Sequence, residues 1–147
     1  MSALGDSLRV ALADTFAFYL KAHNFHWNVE GIDFYEYHIF FEQIYNEVWE
    51  AVDAVAEHLR TLDEYAPGSF SRFSELTNVK DAVSIPEGRV MAHILYNDNQ
   101  LVIASLEATQ KMAEEEKKVG LSNFLQDRID RHEKHGWMLR STIKNRL

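Results

Sequence analysis

Cysteine is absent from the chain, which excludes disulfides, thiolate metal sites and cysteine nucleophiles and suits a reducing compartment. Proline occurs twice and glycine six times in 147 residues, too sparse for a fold built on many tight turns. No apolar run approaches the roughly 20 residues a membrane helix needs. The N-terminus has neither the basic start nor the apolar core of a secretory signal, so a cytoplasmic protein is expected. Positive charge is also short: 15 Lys and Arg stand against 23 Asp and Glu, a formal charge of −8. Such a surface repels nucleic-acid phosphates and attracts cations. The one basic cluster, Arg128, Arg131, Lys134, Arg140, Lys144 and Arg146, is interrupted by Asp127, Asp130 and Glu133. It reads as a salt-bridged helix face.

What is present in quantity is apolar and aromatic: 46% of residues are hydrophobic, with nine Phe, six Tyr and three Trp. That is enough to bury a core in a single domain spanning residues 1–147.

The few helix breakers punctuate long periodic stretches. A first helix is expected from Gly5 to Val29, with Leu8, Leu12, Phe16, Tyr19, His23 and His26 at three-to-four spacing. Glu30-Gly31 ends it. Asp33, with Glu36 three residues on, is placed to cap a second helix reaching Leu62. Its inward stripe is Tyr37, Phe41, Ile44, Val48, Val52, Val55, Leu59 and Leu62. Asp63 to Ile85 reads as a long connection with one short helix around Phe70 to Leu76. Ser84 and Glu87 form a capping box for a third long helix running to Lys118. Gly120 breaks the chain, and Ser122 caps a fourth helix toward Ile143. No strand pattern emerges. The expected fold is all-α, a four-helix bundle whose second and third helices are joined by a long crossover carrying a short helix.

The chemistry is concentrated on the second helix. His38 with Glu42, and Asp53 with Glu57, are pairs spaced i,i+4, so each pair shares a face one turn apart. At about 100° per residue all four fall within an arc of about 100°, with Tyr45 and Trp49 between them. One chain cannot close all four on one ion. Glu42 and Asp53 are separated by roughly 16 Å of helix, and His38 and Glu57 by roughly 28 Å, whereas metal–ligand bonds are about 2 Å long. The pairs are equidistant from the point between Glu47 and Val48. An antiparallel copy on a two-fold axis through that point sets His38 opposite Glu57 of the other chain, and Glu42 opposite Asp53. Each dimer then holds two equivalent sites, and two-fold contact is the commonest oligomer geometry. His26, on the inward side of the first helix, adds a further ligand. Two His and three carboxylates suit iron or zinc rather than copper(I). The alternative reading of the quartet is a solvated face with helical salt bridges. His23, His132 and His135 read as hydrogen-bonded core or interface residues rather than a second metal site.

The run Lys21-Ala22-His23-Asn24-Phe25-His26-Trp27-Asn28-Val29-Glu30-Gly31, followed by Phe34, His38, Glu42, Tyr45, Asp53, Ala56 and Glu57, resembles the signature of the Dps family of miniferritins. Lys134-His135-Gly136-Trp137-Met138-Leu139 in the last helix extends the resemblance over essentially the whole chain. The resemblance implies a ferritin-like bundle assembled as a hollow twelve-subunit shell. It implies Fe(II) oxidation, with hydrogen peroxide preferred over oxygen, and storage of ferric mineral inside. By matching position, His26, His38 and Glu42 supply one subunit's half of a di-iron centre, with zinc as the alternative occupant. Asp53 and Glu57 supply the neighbour's half, and Trp27 stands near the centre as an electron donor.

The sequence departs from the family pattern in places. Position 42 is Glu where many members have Asp, His58 replaces the usual Arg, and Thr61-Leu62-Asp63-Glu64 replaces the usual Gly after the second helix. The lysine-rich tail some members use on DNA is missing, since residues 1–10 carry Arg9 alone. Asp127 and Asp130 are candidates for an iron-entry pore, beside Lys117, Lys118 and Asn123. Three rivals remain in view. A DNA-compacting shell is disfavoured by charge and the short N-terminus. A single-chain di-iron bundle needs Glu-x-x-His motifs, and no Glu here has a His three residues later. A zinc-filled, inactive shell is separable by metal analysis with an activity assay.

Overall fold

The computed structural model describes residues 2–144; Met1 and residues 145–147, with Arg146 of the basic cluster, lie outside the described part. Five helices and no strand occur among the described residues: α1 (Ala3–Asn28), α2 (Phe34–Thr61), α3 (Phe70–Leu76), α4 (Gly88–Glu115) and α5 (Val119–Ile143). None is long and apolar enough to cross a membrane. The four long helices form the bundle, with α1 packed on both α2 and α4, and α4 on α5. The short α3 leans on α1 through a stacked Phe16–Phe73 pair. Buried Asp14 of α1 accepts bonds from the Thr77 hydroxyl and the Asn78 amide, both at 2.7 Å. The crossover is thereby fastened to the bundle at its middle.

The inward stripe of α2 is as the periodicity requires: Phe41, Ile44, Val48, Val55 and Leu59 are buried, with Tyr37, Val52 and Leu62 half-buried against them. On α1 the stripe is wider than expected, because Phe18, Ala22 and Phe25 are fully buried as well. A helix packed against two neighbours loses its solvent face, so a one-stripe template undercounts its core.

The ends of the helices differ from expectation in instructive ways. The first helix begins two residues early, where the Ser2 hydroxyl accepts the Gly5 amide at 2.9 Å. Ser84 does not cap α4; Glu87 occupies that position and makes no side-chain cap bond. The reason is Pro86: a residue before proline is driven out of the helical region, so Ile85 cannot begin a helix. Gly120 and Ser122 lie inside α5, and Ser122 accepts bonds from Gln110 and Gln126 instead. The break comes earlier, at Lys117, which has φ 59. There Lys117 donates to the Glu114 carbonyl and Lys118 to that of Ala113, a Schellman closure with lysine where glycine is usual. The second helix closes the same way, with Asp63 at φ 60, Asp63 donating to Arg60 and Glu64 to Leu59. Aspartate tolerates this left-handed conformation better than most side chains, which explains how Thr61-Leu62-Asp63-Glu64 dispenses with a glycine.

Candidate metal centre

The last turn of α1 and the first turns of α2 are joined by a short link in which Gly31 takes φ 111, a backbone open to glycine and costly for other residues. This tight reversal brings His26 beside His38. Each ring donates its Nδ1–H to the other residue's backbone carbonyl, His26 to His38 at 2.8 Å and His38 to His26 at 2.7 Å. The rings stack with centroids 3.8 Å apart. These reciprocal bonds fix both tautomers and leave both Nε2 lone pairs free, the state a metal-ligating histidine needs. Glu42 lies one turn beyond His38, its Oε1 3.8 Å from His26 Nε2. The ligand atoms of His26, His38 and Glu42 all lie within 4.8 Å of one another, the one such grouping among the described residues. Three side chains offering nitrogen and oxygen donors could hold a metal ion and would leave coordination positions open.

Asp53 and Glu57 are exposed farther along α2 and do not reach this grouping within the chain. Trp27, the residue after His26, is 60% exposed, and Trp49, between the two carboxylate pairs, is 51% exposed. Large aromatic side chains left uncovered, near carboxylates that make no ion pair among the described residues, mark a surface that another protein is suited to cover.

Around the histidines the aromatic packing is continuous. His23 stacks on Tyr45 at 3.9 Å and lies 3.9 Å from the Trp27 ring. Tyr45 meets His26 edge-on at 5.0 Å, and Tyr19 meets Trp49 at 4.8 Å. The Tyr19 hydroxyl is 2.8 Å from His23 Nδ1. Burial, and then the neighbouring His26, lower the His23 pKa, which favours the neutral ring. Burial, with Tyr45 second, raises the Tyr19 phenol, so its hydroxyl keeps its proton. His23 is therefore a hydrogen-bonded packing residue beside the grouping, as its spacing suggested.

His132 and His135 are accounted for by a network that the spacing pattern did not disclose. Glu47 points away from the ligand face toward α5, where Arg128 Nη1 donates to its Oε2 at 2.5 Å and Arg128 Nη2 to its Oε1 at 3.1 Å. His135 Nε2 meets the same Oε1 at 2.8 Å. His132, fully buried, bonds Asn99 through Nδ1 and Arg128 through Nε2. Burial opposes ionisation of Glu47, but the bonds from His135 and Arg128 outweigh it and hold the carboxyl far below its usual range. Arg128, read from sequence as part of a solvated salt-bridged face, is instead 4% exposed and paired across the bundle. Its neighbour Arg131 does form the surface i,i+4 pair expected, with Asp127. A glutamate on the core side of a helix opposite an i,i+4 Arg–His pair was the available signal.

Comparison with known proteins agrees with the geometry. The model of the ferritin-like domain matches residues 6–147. Antigen TpF1 of Treponema pallidum is 30% identical over 98% of this chain and 82% of its own length. A DNA protection during starvation protein of Brevibacillus brevis is 28% identical over 90% of this chain and 89% of its own. Among solved structures, the Dps protein of Vibrio cholerae, described as a member of a broad superfamily of ferritin-like diiron-carboxylate proteins, superposes with a TM-score of 0.92. It is 29% identical and covers 96% of this chain and 89% of its own. With the bundle, the braced histidine pair and the match over nearly the full length in place, the chain belongs to the Dps family of ferritin-like proteins.

Proposed function

We propose that this protein oxidises Fe(II) at centres shared by two chains and stores the ferric product inside a twelve-subunit shell. The observation that carries the reading is the pair His26 and His38, each locked by the other's carbonyl with Nε2 free beside Glu42. That bracing has little purpose in a solvated helix face and is what a metal ligand requires. The other half of each centre is Asp53 and Glu57 of a second copy, set opposite by the two-fold arrangement that the spacing along α2 favours.

Iron is the substrate. Fe(II) is drawn by the acidic surface, reaches the centre and gives up one electron per ion. Hydrogen peroxide accepts two electrons and two protons and becomes two waters, so a pair of Fe(II) ions matches one peroxide. Carboxylates tolerate the change from Fe(II) to Fe(III) because they shift between one and two metal bonds. The Fe(III) then moves to acidic side chains on the inner surface and grows there as mineral. Both reagents of Fenton chemistry are consumed, which is the protective value of the reaction. Trp27, the residue after His26, is the proposed electron donor.

The test is anaerobic loading with Fe(II), a peroxide pulse, and ferric absorbance followed for wild type and for His38→Ala/Asp53→Ala. Fast oxidation to a soluble ferric product, lost in the double variant, supports the reading. Equal and slow oxidation in both would overturn it in favour of a zinc-filled or non-catalytic shell, which metal analysis then identifies. The DNA-compacting alternative requires salt-sensitive DNA retention, and no observation on this chain favours it.

A further inference from the structure

The large apolar side chains that α2 leaves exposed are Phe34 and Tyr35 at its start and Trp49 near its middle. Trp49 is held rather than free: its ring packs at 4.8 Å on Tyr19 of α1, and Tyr19 meets Tyr45 edge-on at 6.3 Å. It is nonetheless 51% exposed. An aromatic side chain that is ordered but uncovered loses little conformational freedom on association, which is the character of an interface hot spot.

Its position selects the partner. The ligand pairs of α2 are equidistant from the point between Glu47 and Val48, and Trp49 is the second residue past that point. A two-fold axis there sets Trp49 beside Asn46 of the partner subunit. The two indoles are then offset by only roughly 4.5 Å along the helices. The same stretch carries Glu42, Glu50, Asp53 and Glu57, so two copies bring like charges into one contact, which repels. Attraction at the centre therefore falls to Trp49. The ends assist, because α2 has Glu36 in its first turn and His58 and Arg60 in its last. An antiparallel copy meets opposite charge at both ends, and exposed Tyr35 falls opposite Arg60 of the partner subunit. A different protein covering the indole would leave Asp53 and Glu57 without the histidine half they lack.

We propose that Trp49 is the anchor of the two-fold contact: the indoles of two copies pack on each other across the axis and hold the two halves of each centre together before metal arrives. The inference rests on the shared-centre reading above and adds what overcomes the repulsion among the ligands. An ion then enters between carboxylates already brought together, so its binding strengthens a pair that exists without it.

The experiment is sedimentation velocity of the full chain in EDTA over a dilution series, with circular dichroism to establish that each variant is helical. Wild type is expected to stay associated down to concentrations at which Trp49→Ala is a single chain, a weakening of at least about thirtyfold. Trp49→Phe, which keeps an aromatic ring, should fall between the two. Trp49→Ala that associates as tightly as wild type overturns the inference and leaves the indole as packing for Tyr19. Wild type that is a single chain in EDTA and associates only when Fe(II) or Zn(II) is added overturns it too, because the ions then supply the attraction. A second measurement leaves position 49 intact. In Trp27→Phe/Trp137→Phe, Trp49 is the sole indole, and its emission should move to longer wavelength as dilution separates the chains. Emission unchanged through dissociation means that no copy covers Trp49, and the anchor falls. Mixing a His38→Ala/Glu42→Ala chain with an Asp53→Ala/Glu57→Ala chain separates this inference from the reading beneath it. Activity recovered by mixing, with association indifferent to Trp49→Ala, overturns the anchor alone; no recovery overturns the shared centre.

Discussion

His26 and His38 show how little separates a packed histidine from a ligand. Both rings stack, yet what distinguishes them is that Nδ1 of each is spent on a carbonyl and Nε2 is not. Replacing His38 with Gln removes the ring nitrogen not spent on a carbonyl while leaving a side chain of similar reach. Loss of one ligand from the proposed five-ligand centre is expected to weaken Fe(II) binding by at least about tenfold, read by anaerobic titration. Glu47 makes the opposite case, a carboxylate in the middle of an acid-bearing helix that serves structure. Its side chain is a quarter exposed, so breaking the pair with Arg128 by Glu47→Gln should cost roughly 2 kcal/mol, less than a fully buried pair. The sign of the pH effect follows from its depressed pKa. The stabilisation is fully present above the ordinary glutamate range and is lost as pH falls below it toward the folded-state value. Urea unfolding of wild type should therefore weaken on acidification more steeply than that of Glu47→Gln, and parallel acid limbs would refute the assignment.

Helix identity was legible because each long helix carries an apolar stripe over six or more turns, and the crossover helix announced itself by Phe70 and Phe73 between polar residues. Helix ends were less legible, since they depend on one or two backbone angles that side-chain pattern does not report. Lys117 is the clearest instance: a search for glycine finds Gly120 and misses the real turn three residues earlier. Its left-handed backbone stores strain that glycine would relieve, so Lys117→Gly is expected to stabilise the fold by about 1 kcal/mol. Chemical denaturation measures this, and a variant no more stable than wild type would mean the turn is already relaxed. The grouping of His26, His38 and Glu42 was legible in α2 spacing and in the position of His26. The His23–Tyr19 bond and the Glu47 network were not, because they join elements whose mutual rotation no single-helix pattern contains.

At the scale of the whole molecule, a lone chain holds three candidate ligands together and strands two, with Trp27 and Trp49 uncovered nearby. The decisive prediction is complementation between two defective chains. One carries His38→Ala/Glu42→Ala and the other Asp53→Ala/Glu57→Ala, and each alone should be inactive as an assembled protein. When the two are unfolded, mixed in equal amounts and refolded, half of the two-fold pairs contain one chain of each kind. In such a pair one centre loses both halves, while the other draws His38 and Glu42 from one chain and Asp53 and Glu57 from its neighbour, all intact. The mixture should therefore recover roughly a quarter of wild-type ferroxidase rate, by the reciprocity of a two-fold interface. A centre closed within one chain would be broken in every subunit, and mixing would restore nothing. Recovery far above a quarter would also speak against the arrangement, since random pairing sets that ceiling. Because both variants keep the same bundle core, the readout depends on where the ligands meet rather than on whether the chains fold.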